Sequence, residues 1–400
     1  MRAIVIFSFV AAVCGPVAAG DWRQFRGNDS NGVAEESDLP LTWSETENVA
    51  WKVPLEGRGL SAPIVVGERV FVTCSSGFLQ DRLHVLCFDA ATGKQRWERR
   101  FWATGRTTCH QKTCVAAPTP ASDGERVFAL FASNDIACLD LDGNLLWYRG
   151  LNVDYPNATN SLGMASSPIV VGDTFIAQVE SDDDAFAVGL DVTSGRERWK
   201  IERPRKANWT SPVPLRGDTP EQDLAVLQSS AGLAAVVPRT GKTAWSYGDG
   251  ASTISSSVVL DHTVFTPSGG IAAIRAGEND SAEVLWKAGN LSPSTSSPLV
   301  YEGHIFTVNS AAVLSCAEVS TGKRLWQLRL EGPISSTPVA SGGHLYLFNE
   351  KGMGQVVKPG AKRGEIVGGG ELKETLLATP AIAGGAIYIR SDDHLWKIAK

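Results

Sequence analysis

The sequence is poor in charged residues and, after its first twenty positions, has no long apolar run. Charged residues make up 20% and hydrophobic residues 43% of the 400 positions, which excludes disorder and predicts a globular chain with a large core. No later segment approaches the roughly twenty apolar residues of a membrane helix, so we expect a soluble mature chain without a transmembrane segment. The net charge is −6 and the only basic run is 203–206, which excludes nucleic acid as a partner.

Cysteine is scarce, and no two of the seven cysteines are adjacent or form a Cys-x-x-Cys-His haem site. Cys87, Cys138 and Cys316 each precede a recurring turn, which predicts small buried strand positions with free thiols. A disulfide between Cys74 and Cys87, on successive strands, is the alternative at that place.

Cys109 and Cys114 lie outside this pattern, in a long connection. In an exported protein they are predicted to form a local disulfide. The alternative is a metal site shared with His110, but three ligands without a fourth are a weak metal pattern.

The first twenty residues have the layout of a secretory signal peptide: Arg2, the apolar run 3–13 and a small-residue exit at 17–20. We therefore predict a signal peptide at 1–20, an N-terminal extension at 21–42, and a periplasmic or secreted protein. A lipid anchor on Cys14 is the disfavoured alternative, because the preceding residue is Val13 where a lipoprotein signal has a small one.

A turn followed by tryptophan recurs along the chain. Its fullest copies are Asp89-Ala-Ala-Thr-Gly-Lys94 before Trp97 and Asp191-Val-Thr-Ser-Gly-Arg196 before Trp199. Glycine can take the positive φ of a tight turn, while Asp and Thr can hydrogen-bond the turn backbone. The recurring tryptophans are 40 to 52 residues apart, a period that fits four short strands: Trp51, Trp97, Trp147, Trp199, Trp245, Trp286 and Trp326.

A small-residue step, usually ending in proline, begins each unit and is followed by a β-branched hairpin. It occurs eight times: at 61–63, 116–118, 166–168, 210–212, 255–257, 296–298, 336–338 and 378–380. The last unit lacks an outer strand, whereas the segment around Trp51 is an outer strand without a unit. The sequence thus predicts an all-β, eight-bladed β-propeller of four-stranded antiparallel blades over 43–400, closed by an N-terminal strand that completes the last blade.

The turn-and-tryptophan element resembles the repeat of the pyrroloquinoline quinone (PQQ)-like propellers, and eight blades in under 400 residues resemble the compact BamB-type propellers of bacterial envelopes. This resemblance implies work in an envelope protein assembly. It also raises a second hypothesis, a PQQ- or metal-dependent oxidoreductase holding PQQ and calcium. Such quinoproteins are longer and carry an adjacent cysteine pair, so we expect no cofactor here.

A binding site is expected where three consecutive connections between blades are expanded, at 101–116, 151–165 and 201–209. Their aromatic, amide and cationic side chains suit a peptide, a glycan or an anionic ligand, and longer loops packed over the channel mouth are the alternative interpretation. The candidate residues are Trp102, Arg106, His110, Tyr155, Asn157, Asn160, Arg205, Lys206, Asn208 and Trp209.

Other titratable residues are predicted to be solvated. The acidic run of Glu180 with 182–184 is interpreted as a solvated hairpin, with calcium binding as the alternative. Five histidines lie in or beside predicted hairpin turns, where solvent exposure is expected: His84, His262, His304, His344 and His394.

The leading functional hypothesis is an extracytoplasmic, non-enzymatic binding or scaffold propeller with envelope or secreted proteins as partners. A glycan-binding or glycan-active propeller is a weaker alternative, because glycoside hydrolysis needs two carboxylates facing each other and no such pair is identifiable.

Overall fold

The computed structural model describes residues 20–36, 38–159, 162–277 and 281–400. These residues form eight four-stranded antiparallel sheets whose innermost strands contact one another in a ring. The predicted eight-bladed propeller is confirmed. Residues 1–19 of the predicted signal peptide, with Cys14, lie outside the described residues.

Each blade runs from an inner strand at the central channel to an outer strand. The first four blades consist of β2 (Ile64–Val66), β3 (Arg69–Ser76), β4 (Arg82–Asp89) and β5 (Gln95–Trp102); β6 (Ala121–Ser122), β7 (Arg126–Leu130), β8 (Asp135–Asp140) and β9 (Leu145–Gly150); β10 (Ile169–Val171), β11 (Thr174–Val179), β12 (Phe186–Asp191) and β13 (Glu197–Glu202); and β14 (Val213–Leu215), β15 (Leu224–Ser229), β16 (Gly232–Val236) and β17 (Thr243–Tyr247).

The fifth to eighth blades follow the same order, and the eighth takes its outer strand from the front of the chain. They consist of β18 (Val258–Leu260), β19 (Thr263–Pro267), β20 (Ile271–Ala276) and β21 (Ala282–Ala288); β22 (Leu299–Tyr301), β23 (His304–Val308), β24 (Val313–Glu318) and β25 (Arg324–Arg329); β26 (Val339–Ser341), β27 (His344–Phe348), β28 (Met353–Pro359) and β29 (Gly364–Glu371); and β30 (Ala381–Ala383), β31 (Ala386–Arg390), β32 (His394–Ile398) and β1 (Val49–Pro54).

Two short helices interrupt the strands, α1 (Leu151–Asp154) and a 3-10 helix at Pro220–Gln222. Among the residues that the structure describes, no helix has the length and hydrophobicity of a membrane span.

The recurring tryptophans join neighbouring blades. Trp51, Trp199, Trp245 and Trp326 are buried and the other three are half-buried. Six of the seven indole N–H groups donate to a backbone carbonyl in the turn of the next blade, at distances of 2.7 to 3.2 Å. These six rings therefore contribute apolar burial and a satisfied hydrogen bond at a blade interface, whereas the indole N–H of Trp245 has no partner among the described residues.

The ring closes at the eighth blade. β1 pairs with β32 in an antiparallel register that sets Lys52 opposite Trp396 and Val53 opposite Leu395. Because the first and last strands share one sheet, the eighth blade has all four strands and the ring of blades is closed, as predicted.

The N-terminal extension is an integral part of the propeller. Residues 20–36, which we call the plug, cross the channel and contact the inner region of every blade. Trp22 pairs with Val65 in blade one, Arg23 accepts a bond from Ser122 in blade two, and Gly32 with Ala34 pairs with blade seven. The remaining contacts are made with Val170, Arg216, Ser257, Leu299 and Gly385.

Candidate binding face

The antiparallel order of the strands divides the loops between two faces. One face, the connection face, holds the links from each outer strand to the next inner strand together with the hairpins between middle strands. The opposite face, the turn face, holds the inner hairpins and the Thr-Gly turns. The plug enters from the turn face, because Asp21 accepts from the amide of Gly67 and Asp29 pairs with Arg216, both at or beside inner hairpins.

The three expanded connections contact one another on the connection face. His110 N–H donates to the Leu162 carbonyl at 2.9 Å, which joins the first connection to the second. The indole of Trp209 donates to the Gly163 carbonyl at 2.8 Å, which joins the third connection to the second. The structure thus brings residues from three blades into one continuous surface.

This surface carries the most exposed large apolar side chains of the described residues. Phe78 is 101% exposed relative to the free residue, Val153 71%, Trp102 64% and Leu79 60%. Hairpin 77–81 lies beside Trp102, since Ala103 N–H donates to the Asp81 carbonyl at 2.9 Å. We call these four side chains the apolar rim.

The first connection places its candidate residues in solvent. Trp102 stacks under the guanidinium of Arg82, whose carbon lies 5.3 Å from the ring centroid. Arg106 and His110 are exposed. The neighbouring Lys112 forms an ion pair with Glu350, 2.9 Å away, so this connection reaches across the channel mouth to blade seven.

The second connection turns its tyrosine toward the protein. Tyr155 packs on Phe186, with ring centroids 4.7 Å apart, and its hydroxyl donates to Glu197 at 2.6 Å. Asn157 is exposed. Asn160, the third candidate, lies outside the described residues.

The third connection contains both exposed and buried candidates. Arg205 and Lys206 are exposed, and Trp209 is half-buried at the channel mouth. Asn208 is buried: its amide donates to Glu180 and to the Gln228 carbonyl, at 2.9 and 2.7 Å. The polar atoms of Asn208 therefore face the protein.

The expectation that Glu180 lies in a solvated acidic turn is wrong. Its side chain is buried, 2.7 Å from the guanidinium of Arg203. Burial raises the pKa of Glu180, and Arg203 and Asn208 oppose that shift. Glu180 is the last residue before hairpin 181–185. Its carboxylate points inward and anchors the third connection through Arg203 and Asn208.

The expectation for His84 is also wrong. The residue lies within β4 opposite Cys74 and is 1% exposed, because β3 and β4 extend further than the other middle strands. Its Nε2 lies 2.7 Å from Ser76 Oγ and its Nδ1 2.6 Å from Glu98 Oε1. The other four histidines are exposed or half-buried in or beside turns.

All six described cysteines are free thiols in the structure. Cys87, Cys138 and Cys316 are buried, each directly opposite the tryptophan of its outer strand. Cys109 is half-buried and Cys114 is buried in the same apolar cluster. The disulfide between them stays a prediction.

A ring of hydroxyl groups surrounds the channel mouth. In each of seven blade interfaces, a backbone N–H in the small-residue step, or one residue after it at Thr119, donates to a hydroxyl of the next blade at 2.9 to 3.3 Å. At the eighth interface Ala62 has no hydroxyl, and the buried guanidinium of Arg390 bonds Ser61 and Thr73 instead. We call this ring the hydroxyl girdle: Thr119, Ser167, Ser211, Ser256, Ser297, Thr337 and Thr379.

The girdle surrounds a cavity of about 130 Å³ at the channel mouth. Phe25, at the tip of the plug, lines its inner end, and Leu60, Trp209, Ile254 and Leu377 line its entrance. The channel is therefore open toward the connection face and blocked from the turn face. In the sequence, the small-residue step predicts only the start of a strand; the recurrence of Ser or Thr beside its proline is the signal for the girdle.

These features define the class: a closed eight-bladed propeller with a one-ended channel and an elaborated connection face. The family model described as outer membrane protein assembly factor BamB matches residues 44–219 and 269–367, more than half of the chain. The chain belongs to this BamB-like family of PQQ-type propellers. Among curated proteins, none matches the sequence.

Solved structures with the same fold include BamB and two dehydrogenases. BamB from Moraxella catarrhalis is 16% identical with a TM-score of 0.62, over 87% of this chain and 96% of that chain. A europium-containing methanol dehydrogenase is 14% identical with a TM-score of 0.63, over 94% and 91%. Quinohemoprotein alcohol dehydrogenase from Comamonas testosteroni is 12% identical with a TM-score of 0.72, over 95% and 81%. At these identities the likeness shows the fold alone.

The channel mouth does not fit a quinone with calcium. Pockets for molecules of cofactor size hold roughly 300–1,000 Å³, whereas this cavity holds about 130 Å³. Its described lining is made of hydroxyl and apolar side chains, without a carboxylate or a cysteine. No group of three or more His, Cys, Asp or Glu residues in the described ranges is arranged to hold a metal ion.

Proposed function

We propose that this protein is an extracytoplasmic binding or scaffold propeller that holds envelope or secreted proteins on its connection face. The proposal rests on the exposure of the apolar rim. Phe78, Leu79, Trp102 and Val153 are the four most exposed large apolar side chains of the described chain, and all four lie on this one face. Grouped exposed apolar side chains on a soluble domain mark interaction sites.

The rim has the composition of a protein-binding surface. Aromatic anchors such as Phe78 and Trp102 bury large areas at low entropic cost, and such residues dominate binding energies at interfaces. Polar groups surround them, including Arg82 against Trp102 and the exposed Arg106. The closed ring beneath supplies a rigid platform, which lowers the entropy lost on binding.

The extracytoplasmic location rests on the predicted signal peptide and on membership of a BamB-like family. That family is consistent with protein partners and an envelope location.

Co-purification from the native envelope tests the proposal. We expect the double variant Phe78→Ser/Trp102→Ser to lose bound protein at least tenfold relative to the unmodified chain, because the anchors supply most of the binding energy. The matched control is Val284→Ser/Leu325→Ser, which removes two exposed apolar side chains from outer strands. Equal loss in the two variants, or no loss in the rim variant, would contradict the proposal.

We also propose that the protein works without a quinone. Purified protein mixed with PQQ and calcium, then desalted, is expected to retain no quinone absorbance and to show no dye-linked alcohol oxidation. A retained chromophore with turnover would favour the oxidoreductase hypothesis over the scaffold.

A further inference from the structure

Ser76, His84 and Glu98 form a hydrogen-bonded chain at the connection-face end of blade one. Oγ of Ser76 lies 2.7 Å from Nε2 of His84, and Nδ1 of His84 lies 2.6 Å from Oε1 of Glu98. The imidazole thus contacts a hydroxyl through one nitrogen and a carboxylate through the other. This is the arrangement of serine, histidine and acid in the triads that catalyse acyl transfer, which are recognised by geometry and not by sequence position.

The carboxylate fixes the position of the imidazole proton. Burial raises the pKa of Glu98, but hydrogen bonds from Arg100 and His84 outweigh it, so the net shift of that pKa is downward and the carboxyl is ionised at neutral pH. An ionised carboxylate can only accept, so in the neutral imidazole Nδ1 carries the proton and donates to Glu98. Nε2 is then left to accept from the hydroxyl of Ser76, as a general base must.

The lengths of two strands produce this contact. β3 and β4 have eight residues each, whereas the middle strands of the other blades have five to seven. β3 sets Cys74 opposite His84, and β5 sets Arg100 opposite His84. Directly paired residues and every second residue of a strand point to the same face of a sheet. Ser76, two residues after Cys74, and Glu98, two residues before Arg100, therefore lie on the same face as the imidazole.

The nucleophilic member of the chain reaches the surface. Ser76 is half-buried at the base of the exposed hairpin 77–81, whereas His84 behind it is 1% exposed. Gly77 has φ +87° directly after Ser76, and the N–H groups of Gly77 and Phe78 have no acceptor among the described residues. Free amides beside a nucleophile can stabilise the oxyanion that acyl transfer generates.

A second group of the same residue types is arranged differently. At blade eight, the hydroxyl of Ser391 donates to Glu374, and Nδ1 of His394 lies 2.9 Å from the same carboxylate. The carboxylate there stands between the other two side chains, so no described hydroxyl faces that imidazole. Within the described ranges, only the imidazole of His84 contacts both a serine hydroxyl and a carboxylate.

The surroundings of Ser76 suit an ester with an apolar acyl group. Ser76 pairs with Arg82, which pairs with Trp102, so the three side chains lie in one row on the same face as His84. Trp102 is 64% exposed and offers an apolar surface for the acyl group.

We propose that Ser76 is the nucleophile of an ester hydrolase on the connection face, with His84 as general base and acid and Glu98 as a positioning residue. Oγ of Ser76 attacks the ester carbonyl carbon while its proton passes to Nε2 of His84. The bond between that carbon and the alkoxy oxygen breaks, and the leaving alkoxide takes the proton from His84. Water then attacks the acyl-serine by the reverse route, which releases the carboxylic acid and restores the Ser76 hydroxyl. This activity needs no cofactor and is independent of the proposed scaffold function.

Covalent labelling of the full chain without its predicted signal peptide tests the inference. A fluorophosphonate probe is expected to form an adduct on Ser76, located by peptide mass spectrometry, and p-nitrophenyl butyrate is expected to be hydrolysed. Ser76→Ala is expected to lose the adduct and to lower turnover about a hundredfold or more. The matched control is Ser292→Ala, which removes an exposed hydroxyl from the connection between blades five and six and is expected to change neither readout.

A further variant separates catalysis from folding. Glu98→Gln keeps the shape of the side chain and is expected to lower kcat about a hundredfold while KM changes less than about twofold, because Glu98 contacts His84 and not the substrate. Circular dichroism checks that both variants are folded, and the adduct on the unmodified chain needs no variant. Turnover by Ser76→Ala equal to that of the unmodified chain, no adduct on Ser76, no ester hydrolysis by the unmodified chain, or an unchanged kcat in Glu98→Gln would overturn the inference.

Discussion

In the two fullest copies of the recurring turn, one aspartate carboxylate accepts several hydrogen bonds from the turn. Asp89 Oδ1 accepts bonds from the amides of Ala91 and Thr92 and from the Thr92 hydroxyl, while Oδ2 binds Arg96. Hydrogen bonds from Arg96 and then from Thr92 hold the pKa of Asp89 well below its ordinary value. Asp191 has the equivalent contacts with Thr193 and Arg198, and the same direction of shift.

These depressed pKa values predict acid sensitivity. A carboxylate with a lower pKa in the folded chain stabilises it above the unfolded value of about 3.9 and loses that contribution as pH falls through the folded pKa. We expect the thermal midpoint to fall from about pH 5 downward, and Asp89→Asn to show a smaller fall with a lower midpoint at pH 7. Differential scanning calorimetry across pH measures this, with Asp218→Asn at an exposed turn as control. An unchanged acid limb in Asp89→Asn would contradict the assignment.

At the residue scale, repeated positions were predictable and unique ones were not. The recurrence of Cys138 and Cys316 predicts a small buried strand position for Cys87, and the structure explains it by the indole opposite. The sequence predicts solvated turns for His84 and Glu180, yet both are buried by partners that do not recur from blade to blade. Arg26 gave no signal at all, because its burial depends on a contact 231 residues away.

At the scale of elements, the tryptophan of one blade and the glycine turn of the next form a unit. Gly93 has φ +71°, and a Cβ added to it would lie 2.8 Å from the ring of Trp51. Glycine is required there both for the left-handed conformation and for the close approach of the indole. The sequence predicted the first reason, while the second depends on the blade interface.

The variant Gly93→Ala is expected to lower the free energy of unfolding by about 1–3 kcal/mol or more, from backbone strain plus displacement of Trp51. Gly67→Ala is the matched control, because Gly67 has φ +54° but open space around its Cβ position. Urea unfolding followed by tryptophan fluorescence measures both. Equal losses would show that the contact with the indole contributes nothing.

The sequence predicts which connections between blades are expanded and that they lie together, but it does not predict which of their side chains are exposed. The three expanded segments were expected to cluster because they are consecutive, and they do contact one another through Leu162 and Gly163. Their side chains could not be sorted from the sequence into exposed ones, such as Arg106, and inward ones, such as Asn208, since that depends on packing against neighbouring blades.

At the scale of the whole molecule, the repeat predicted the blade number and the closing strand. The tryptophan period and the eight small-residue steps both arise from one repeating unit of four strands. The number of repeats therefore equals the number of blades. The sequence does not predict the plug, because this segment occurs once and has no strand pattern, although it contacts every blade. Its position makes the two faces unequal, with one channel mouth blocked and the other open.

We propose that the connection face binds protein partners and that the turn face does not. The most direct measurement is a photo-crosslinking scan in the native envelope, with a photoreactive amino acid placed at Phe78, Trp102 and Val153 on the connection face and at Asp142, Asp218 and Glu302 on the turn face. We predict protein adducts of defined mass from the first three positions only. Adducts mainly from the turn-face positions, or none from either face, would contradict the account.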